Sequence, residues 1–138
     1  MKLSIKVHYG LKAVVELALH YESGGMQIAD VAKSQGIPVR FLEQILLILK
    51  KRGILASSRG VNGGYSLLKH PSEISLLDIV EALDGQIELT NDKAKKVTIL
   101  AETLIAIQDN FISSLKNVTI EDLVIKKRQR DRAFTYNI

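Results

Sequence analysis

The sequence predicts a mainly α-helical fold carrying one small β-hairpin wing. Three observations lead to it. Apolar residues recur at spacings of three and four through most of the chain, Gly36 and Pro38 split one amphipathic stretch into two, and a glycine-rich run around Gly60 to Gly64 separates two short strand-like segments. With 138 residues, 46% of them apolar and 25% charged, the chain can form one compact domain plus an appended helix, without low-complexity linkers.

Val7, Leu11, Val14, Val15, Ala18 and Leu19 define a first helix, expected to end near Gly24-Gly25 and to back the elements that follow. Ile28, Val31 and Ala32 set a second, short helix; Gly36 stops it and Pro38 restarts the chain, giving helix, tight turn, helix. The third helix, Pro38 to about Lys51, places Phe41, Leu42, Ile45, Leu46 and Leu49 on one stripe, with Arg40, Glu43, Gln44, Lys50 and Lys51 lying largely off it. One face packs, and the other can enter a groove of a DNA duplex.

A strand from about Leu55 then meets Gly60-Val61-Asn62-Gly63-Gly64, and a second strand spans Tyr65 to Leu68. Asn62-Gly63 is a strong hairpin signal. At the tip, Arg59 stands beside glycines whose missing side chains let a backbone come close to a partner, and an arginine so placed suits a narrow minor groove. The plainer alternative is a loop that simply turns the chain.

After Pro71, Ser75-Leu76-Leu77-Asp78 reads as a capping box, opening a short helix of Leu76, Ile79, Val80 and Leu83 that Gly85 stops. Residues 1–85 thus make up a winged helix-turn-helix DNA-binding domain. Gly85 to Asp92 forms a polar connector, and from about Lys93 a long helix of about 23 residues, roughly 34 Å, carries Val97, Leu100, Leu104, Ile107, Phe111 and Leu115 as a coiled-coil-like seam. That rod is expected to pair with its twin, two-fold symmetry then addressing two half-sites. The alternative is an intramolecular core helix, since Ile99, Ile105 and Ile112 widen the apolar surface. Thr119 to Asp122 caps a last helix, Ile120 to about Arg130; residues 86–130 are expected as dimerisation helices and 131–138 as a flexible C-terminal tail.

Charge is segregated along the chain. Residues 1–70 hold 10 Lys/Arg against 4 Asp/Glu, residues 71–125 hold 4 against 10, and residues 126–138 hold 5 against 1. The overall +4 therefore conceals a cationic first half, as expected where phosphates are met and their counterions released. Double-stranded DNA is the expected partner, with Lys2, Lys6, Tyr9, Lys50 and Lys51 as backbone contacts, each equally readable as a solvated side chain or, for Tyr9, a packed one.

Other function classes recede. No G-x-S-x-G elbow, no H-E-x-x-H pair and no Walker loop is present, so no enzyme is expected. His8, His20 and His70 are scattered, without the spaced partners of a metal site. The absence of cysteine excludes disulfides, thiolate zinc sites and cysteine-held iron–sulfur clusters, and no cofactor is expected. No apolar run approaches the roughly 20 residues of a membrane span, and the start Met1-Lys2-Leu3 does not read as a secretion signal, which makes a soluble, cytoplasmic location the expectation.

FLEQILLILKKRGIL followed by SSRGVNGGYSLLKHP resembles the recognition helix and wing of the IscR/NsrR/CymR family of bacterial winged-helix transcriptional regulators. KLSIKVHYGLKAVVELA, SLLDIVEALDG and NVTIEDLV resemble it at corresponding places, so the likeness covers nearly the whole chain. It implies that Glu43 and Gln44 face bases, that Arg59 enters the minor groove from a wing including Asn62 and Gly63, and that the protein is a homodimeric regulator, most simply a repressor. Glu43 can accept from a cytosine amino group and Gln44 can pair with adenine, although Glu43 can equally pair with Arg40 on its own helix. Arg40 stands where relatives often carry a small hydroxyl residue, which adds a cationic arm and alters the operator expected.

Many members of that family hold an iron–sulfur cluster through three cysteines after the post-wing helix. The corresponding GQIELTNDKAKKVTIL has none, so the likeness points to the cluster-free, CymR-like branch and to cysteine metabolism. That branch acts with O-acetylserine sulfhydrylase. The end Tyr136-Asn137-Ile138 is similar to the terminal isoleucine through which serine acetyltransferases dock into that enzyme; the alternatives are an ordinary terminus or aromatic packing on the dimer. The competing class is a protein-interaction module whose tail docks into and modulates such an enzyme.

Overall fold

The computed structural model describes residues 2–61, 63–91 and 98–136, the side chain of Tyr136 excepted. Helix α1, Ile5–Leu19, begins at Ser4, whose Oγ accepts from Val7 N at 3.2 Å. It ends at Leu19 rather than near Gly24-Gly25, and a single 3₁₀ turn, Tyr21–Ser23, carries the chain to Gly24. Helices α2, Ile28–Gln35, and α3, Val39–Lys51, form the expected pair. Gly36 closes α2 at φ 65°, a left-handed conformation that favours glycine, and Pro38 precedes α3.

Strands β1, Leu55–Ser58, and β2, Gly64–Leu67, are antiparallel, with Leu55 opposite Leu67 and Ser58 opposite Gly64. A loop of residues 59–63, rather than a two-residue turn, therefore connects them. Helices α4, Leu76–Asp84, α5, Ile99–Lys116, and α6, Ile120–Tyr136, complete the chain.

Both capping signals form. Ser75 Oγ accepts from Asp78 N at 3.1 Å while Asp78 Oδ2 accepts from Ser75 N at 2.9 Å, and Thr119 with Asp122 repeats the exchange at 3.1 and 2.9 Å. The two boxes lie against each other: Leu76 N donates to Val118 O at 2.9 Å and Ile120 N to Ile74 O at 2.8 Å. The start of α6 is thereby stitched to the start of α4.

One core serves all these elements. Val7, Val14 and Leu17 of α1, Leu42, Ile45, Leu46 and Leu49 of α3, Leu55 of β1, and Ile79 and Val80 of α4 are buried together. Gly10 lets α4 cross α1 closely, since a Cβ there would lie 2.4 Å from Leu83 Cδ1. Ile120 and Val124 of α6 belong to the same cluster, so the boundary expected at residue 86 is crossed by the last helix.

Two further expectations are corrected. Helix α5 starts at Ile99, capped by Thr98 Oγ1 accepting from Ala101 N at 3.0 Å, so its 18 residues span about 27 Å rather than a longer rod; Val97 lies outside the described residues. Helix α6 does not stop near Arg130 but continues through Tyr136, replacing most of the expected tail, while Asn137 and Ile138 lie outside the described residues. Nothing between 120 and 136 breaks a helix: no glycine or proline occurs, Lys127 and Asp131 pair at 3.5 Å, and Thr135 Oγ1 donates to Asp131 O at 2.9 Å.

Candidate nucleic-acid interface

The stripe of α3 that enters the core leaves Arg40, Glu43 and Gln44 exposed together, because positions i, i+3 and i+4 share a helix face. They occupy the first turns of α3, the end from which a recognition helix reads bases. Lys50 and Lys51 are exposed in its last turn. Glu43 has no ion pair with Arg40 among the described residues, which leaves its carboxylate available.

Sequence reasoning missed Leu47. It is 46% exposed and lies one turn beyond Glu43 and Gln44 on the same face, where a branched apolar group can meet a thymine methyl. Its place inside the run Ile45–Leu49 hid it, since every neighbour in that run packs inward or partly so.

The wing stands beside α2. Met26 and Tyr65 exchange backbone hydrogen bonds at 2.9 and 2.8 Å, so residue 26 adds a third edge to the hairpin. Gly64, at φ 139°, allows this: a Cβ there would lie 2.2 Å from Met26 O. A Cβ on Gly63 would meet Ser58 O at 2.5 Å. The chain's own backbone therefore already requires these two glycines, a reason separate from the partner approach expected of them. Arg59 and Gly60 at the tip are exposed; Asn62 lies outside the described residues.

Lys2 and Lys6 flank the start of α1, which is fastened to the domain by Ser4 Oγ donating to Asp84 Oδ1 at 2.6 Å. Tyr9 is partly buried, its ring set edge-on against Phe41 at 5.5 Å and 77°, so it supports the first turn of α3 from behind.

Helix α5 has two faces. Ala101 is buried, Gln108 Oε1 accepts from Leu89 N at 2.8 Å, and Leu115 packs on the core. Along one flank of that stripe Leu100 is 67% and Ile107 51% exposed, with Phe111 also open and Leu104 partly so, while Ile105 is exposed on the other flank. An intramolecular helix and an unpartnered seam thus coexist on one element.

His20 and His70 have local uses: His20 Nδ1 lies 3.0 Å from Glu16 O, and His70 Nδ1 lies 2.6 Å from Ser72 Oγ while its ring stands edge-on to Tyr21. Among the described residues no group of three His, Cys, Asp or Glu could hold a metal ion, and no helix is long and apolar enough to cross a membrane.

Comparison with known proteins agrees with this geometry. The family model for Rrf2, described as an iron-dependent transcriptional regulator, matches residues 3–126. The HTH-type transcriptional regulator IscR of Pectobacterium carotovorum is 33% identical over 139 aligned positions, covering 96% of this chain and 85% of the relative. The structure of CymR, the global cysteine regulator of B. subtilis, superposes with a TM-score of 0.82 at 31% identity, over 91% of this chain and 98% of that one. The T. potens IscR structure gives 0.78 at 28% identity, over 92% and 88%. These relatives are regulators of transcription, not enzymes. The iron of the family description does not fit the donors present, because the segment after α4 offers neither cysteine nor histidine. With a helix-turn-helix, a wing and a matching overall architecture, the chain belongs to the Rrf2 family of winged helix-turn-helix transcriptional regulators.

Proposed function

We propose that the protein is a homodimeric, sequence-specific DNA-binding repressor that works without an iron–sulfur cluster and controls genes of cysteine and sulfur metabolism. The observation that carries the DNA reading is the joint exposure of Arg40, Glu43 and Gln44 on the outer face of α3, beside a wing bearing Arg59. Glu43 and Gln44 read base edges, Arg59 enters the minor groove, and Lys2, Lys6, Lys50 and Lys51 neutralise phosphates. The unpartnered seam of α5, from Leu100 through Leu104, Ile107 and Phe111, joins two copies and sets the spacing of two half-sites.

The similarity to CymR, described as a global cysteine regulator, supports the regulon, and the missing cysteines support the cluster-free state. In this reading the protein works in the cytoplasm, and its C-terminal Ile138 is offered to O-acetylserine sulfhydrylase. Affinity for an operator fragment, measured by mobility shift, should fall steeply between about 50 and 200 mM salt. A flat response would remove phosphate neutralisation as the driving term and favour the other class, a protein-interaction module.

A further inference from the structure

We infer that Gln27 is a positioning residue for the wing: its side-chain amide clamps the wing tip to the start of α2 and so fixes where Arg59 can reach. This rests on the DNA-binding reading above for its consequence, but its geometry is independent of it. Gln27 occupies the residue before α2, a place where a short polar side chain would normally cap the first turn. Its side chain makes no such cap. Instead Nε2 donates to Gly63 O and lies 3.5 Å from Val61 O, two carbonyls of the wing loop more than thirty positions further along the chain.

The rest of the wing makes this contact matter. The strands of the hairpin are held by the β1–β2 ladder and, one residue from the tip end of β2, by the Met26–Tyr65 exchange. Beyond Ser58 and Gly64 the ladder ends. Among the described residues of the loop, the remaining backbone hydrogen bond is Gly63 N to Gly60 O at 3.0 Å. Gly60 stands at φ 102°, a conformation that favours glycine. The Met26–Tyr65 exchange ends at β2, and the amide of Gln27 extends the tie to the loop itself, at Val61 and Gly63. Because α2 packs on α3, that tie sets the wing in register with Arg40, Glu43 and Gln44. Gln27 is exposed beside an open cleft shared with His20, Asp30 and Val61, so replacing it leaves the core untouched.

Gln27→Met keeps the length of the side chain and removes both donors. In the free, full-length protein, the backbone {¹H}-¹⁵N NOE of Gly60 and Gly63 should drop in this variant, while the amides of Ala56 and Ser66 in the ladder stay as they were. Operator affinity should fall about three- to tenfold, the range expected for one lost hydrogen bond. Combined with Arg59→Ala in a double-mutant cycle, the losses should be less than additive, because an arginine on an untethered tip already contributes little. Unchanged tip amides, or fully additive losses, would overturn the assignment. If Arg59→Ala is silent in the parent chain while the tip amides of Gln27→Met do loosen, the clamp exists but the DNA reading of the wing has failed, and the positioning role goes with it.

Discussion

Replacing Ile107 by glutamate tests the assembly on which a two-half-site reader depends. Ile107 is 51% exposed in the single chain, so about half of its side-chain surface awaits a partner. Full burial of such a side chain is worth about 1.5–3 kcal/mol, which puts the waiting half near 1 kcal/mol per copy. In an isologous interface each substitution counts twice, so the dimer loses about 2 kcal/mol, or roughly 30-fold in its dissociation constant. A carboxylate buried in each copy raises that figure, since it loses water without gaining a partner. The fold should survive, because Ile107 is absent from the core cluster. Sedimentation equilibrium over a dilution series measures the constant directly, with circular dichroism confirming an unchanged melting temperature. A parent chain that is monomeric throughout, or a variant that associates as tightly as the parent, would refute the argument.

Glu43→Ala should reduce discrimination at one operator base pair by about 1–3 kcal/mol while lowering affinity for unrelated DNA little or even raising it, as competition with mutated sites will show. Gly64→Ala should cost about 1–3 kcal/mol, because the residue sits at φ 139° with Met26 O 2.2 Å from the added carbon; a melting temperature equal to the parent's would contradict the close crossing of wing and residue 26. Removal of Ile138 should abolish calorimetric heat on mixing with O-acetylserine sulfhydrylase and leave operator affinity unaltered, whereas equal heats for both forms would dismiss the docking tail.

The helix-turn-helix, the hairpin and both capping boxes were legible because each is written in local chemistry: Gly36 before Pro38, Ser75 three residues ahead of Asp78, Thr119 three ahead of Asp122. The C-terminal extension of α6 was not. Its charged, nearly apolar-free run from Lys126 shows no amphipathic stripe, and its helicity comes from the absence of a stop and from pairs such as Lys127 with Asp131. The start of α5 slipped for the opposite reason, since apolar periodicity continues past Thr98 and only the hydroxyl cap marks where the helix begins. Gln27 was invisible for a third reason. A polar residue before a helix reads as a cap, and nothing nearby in sequence discloses that its partners are wing carbonyls.

The side-by-side docking of the Ser75 and Thr119 boxes gives the chain a particular topology. The chain from residue 76 to residue 118 leaves from and returns to this one junction, with α4 packed on α1 and α3 and α5 packed on α4. A change in the length of the sequence between α4 and α5 would therefore leave the junction of α4 with α6 in place.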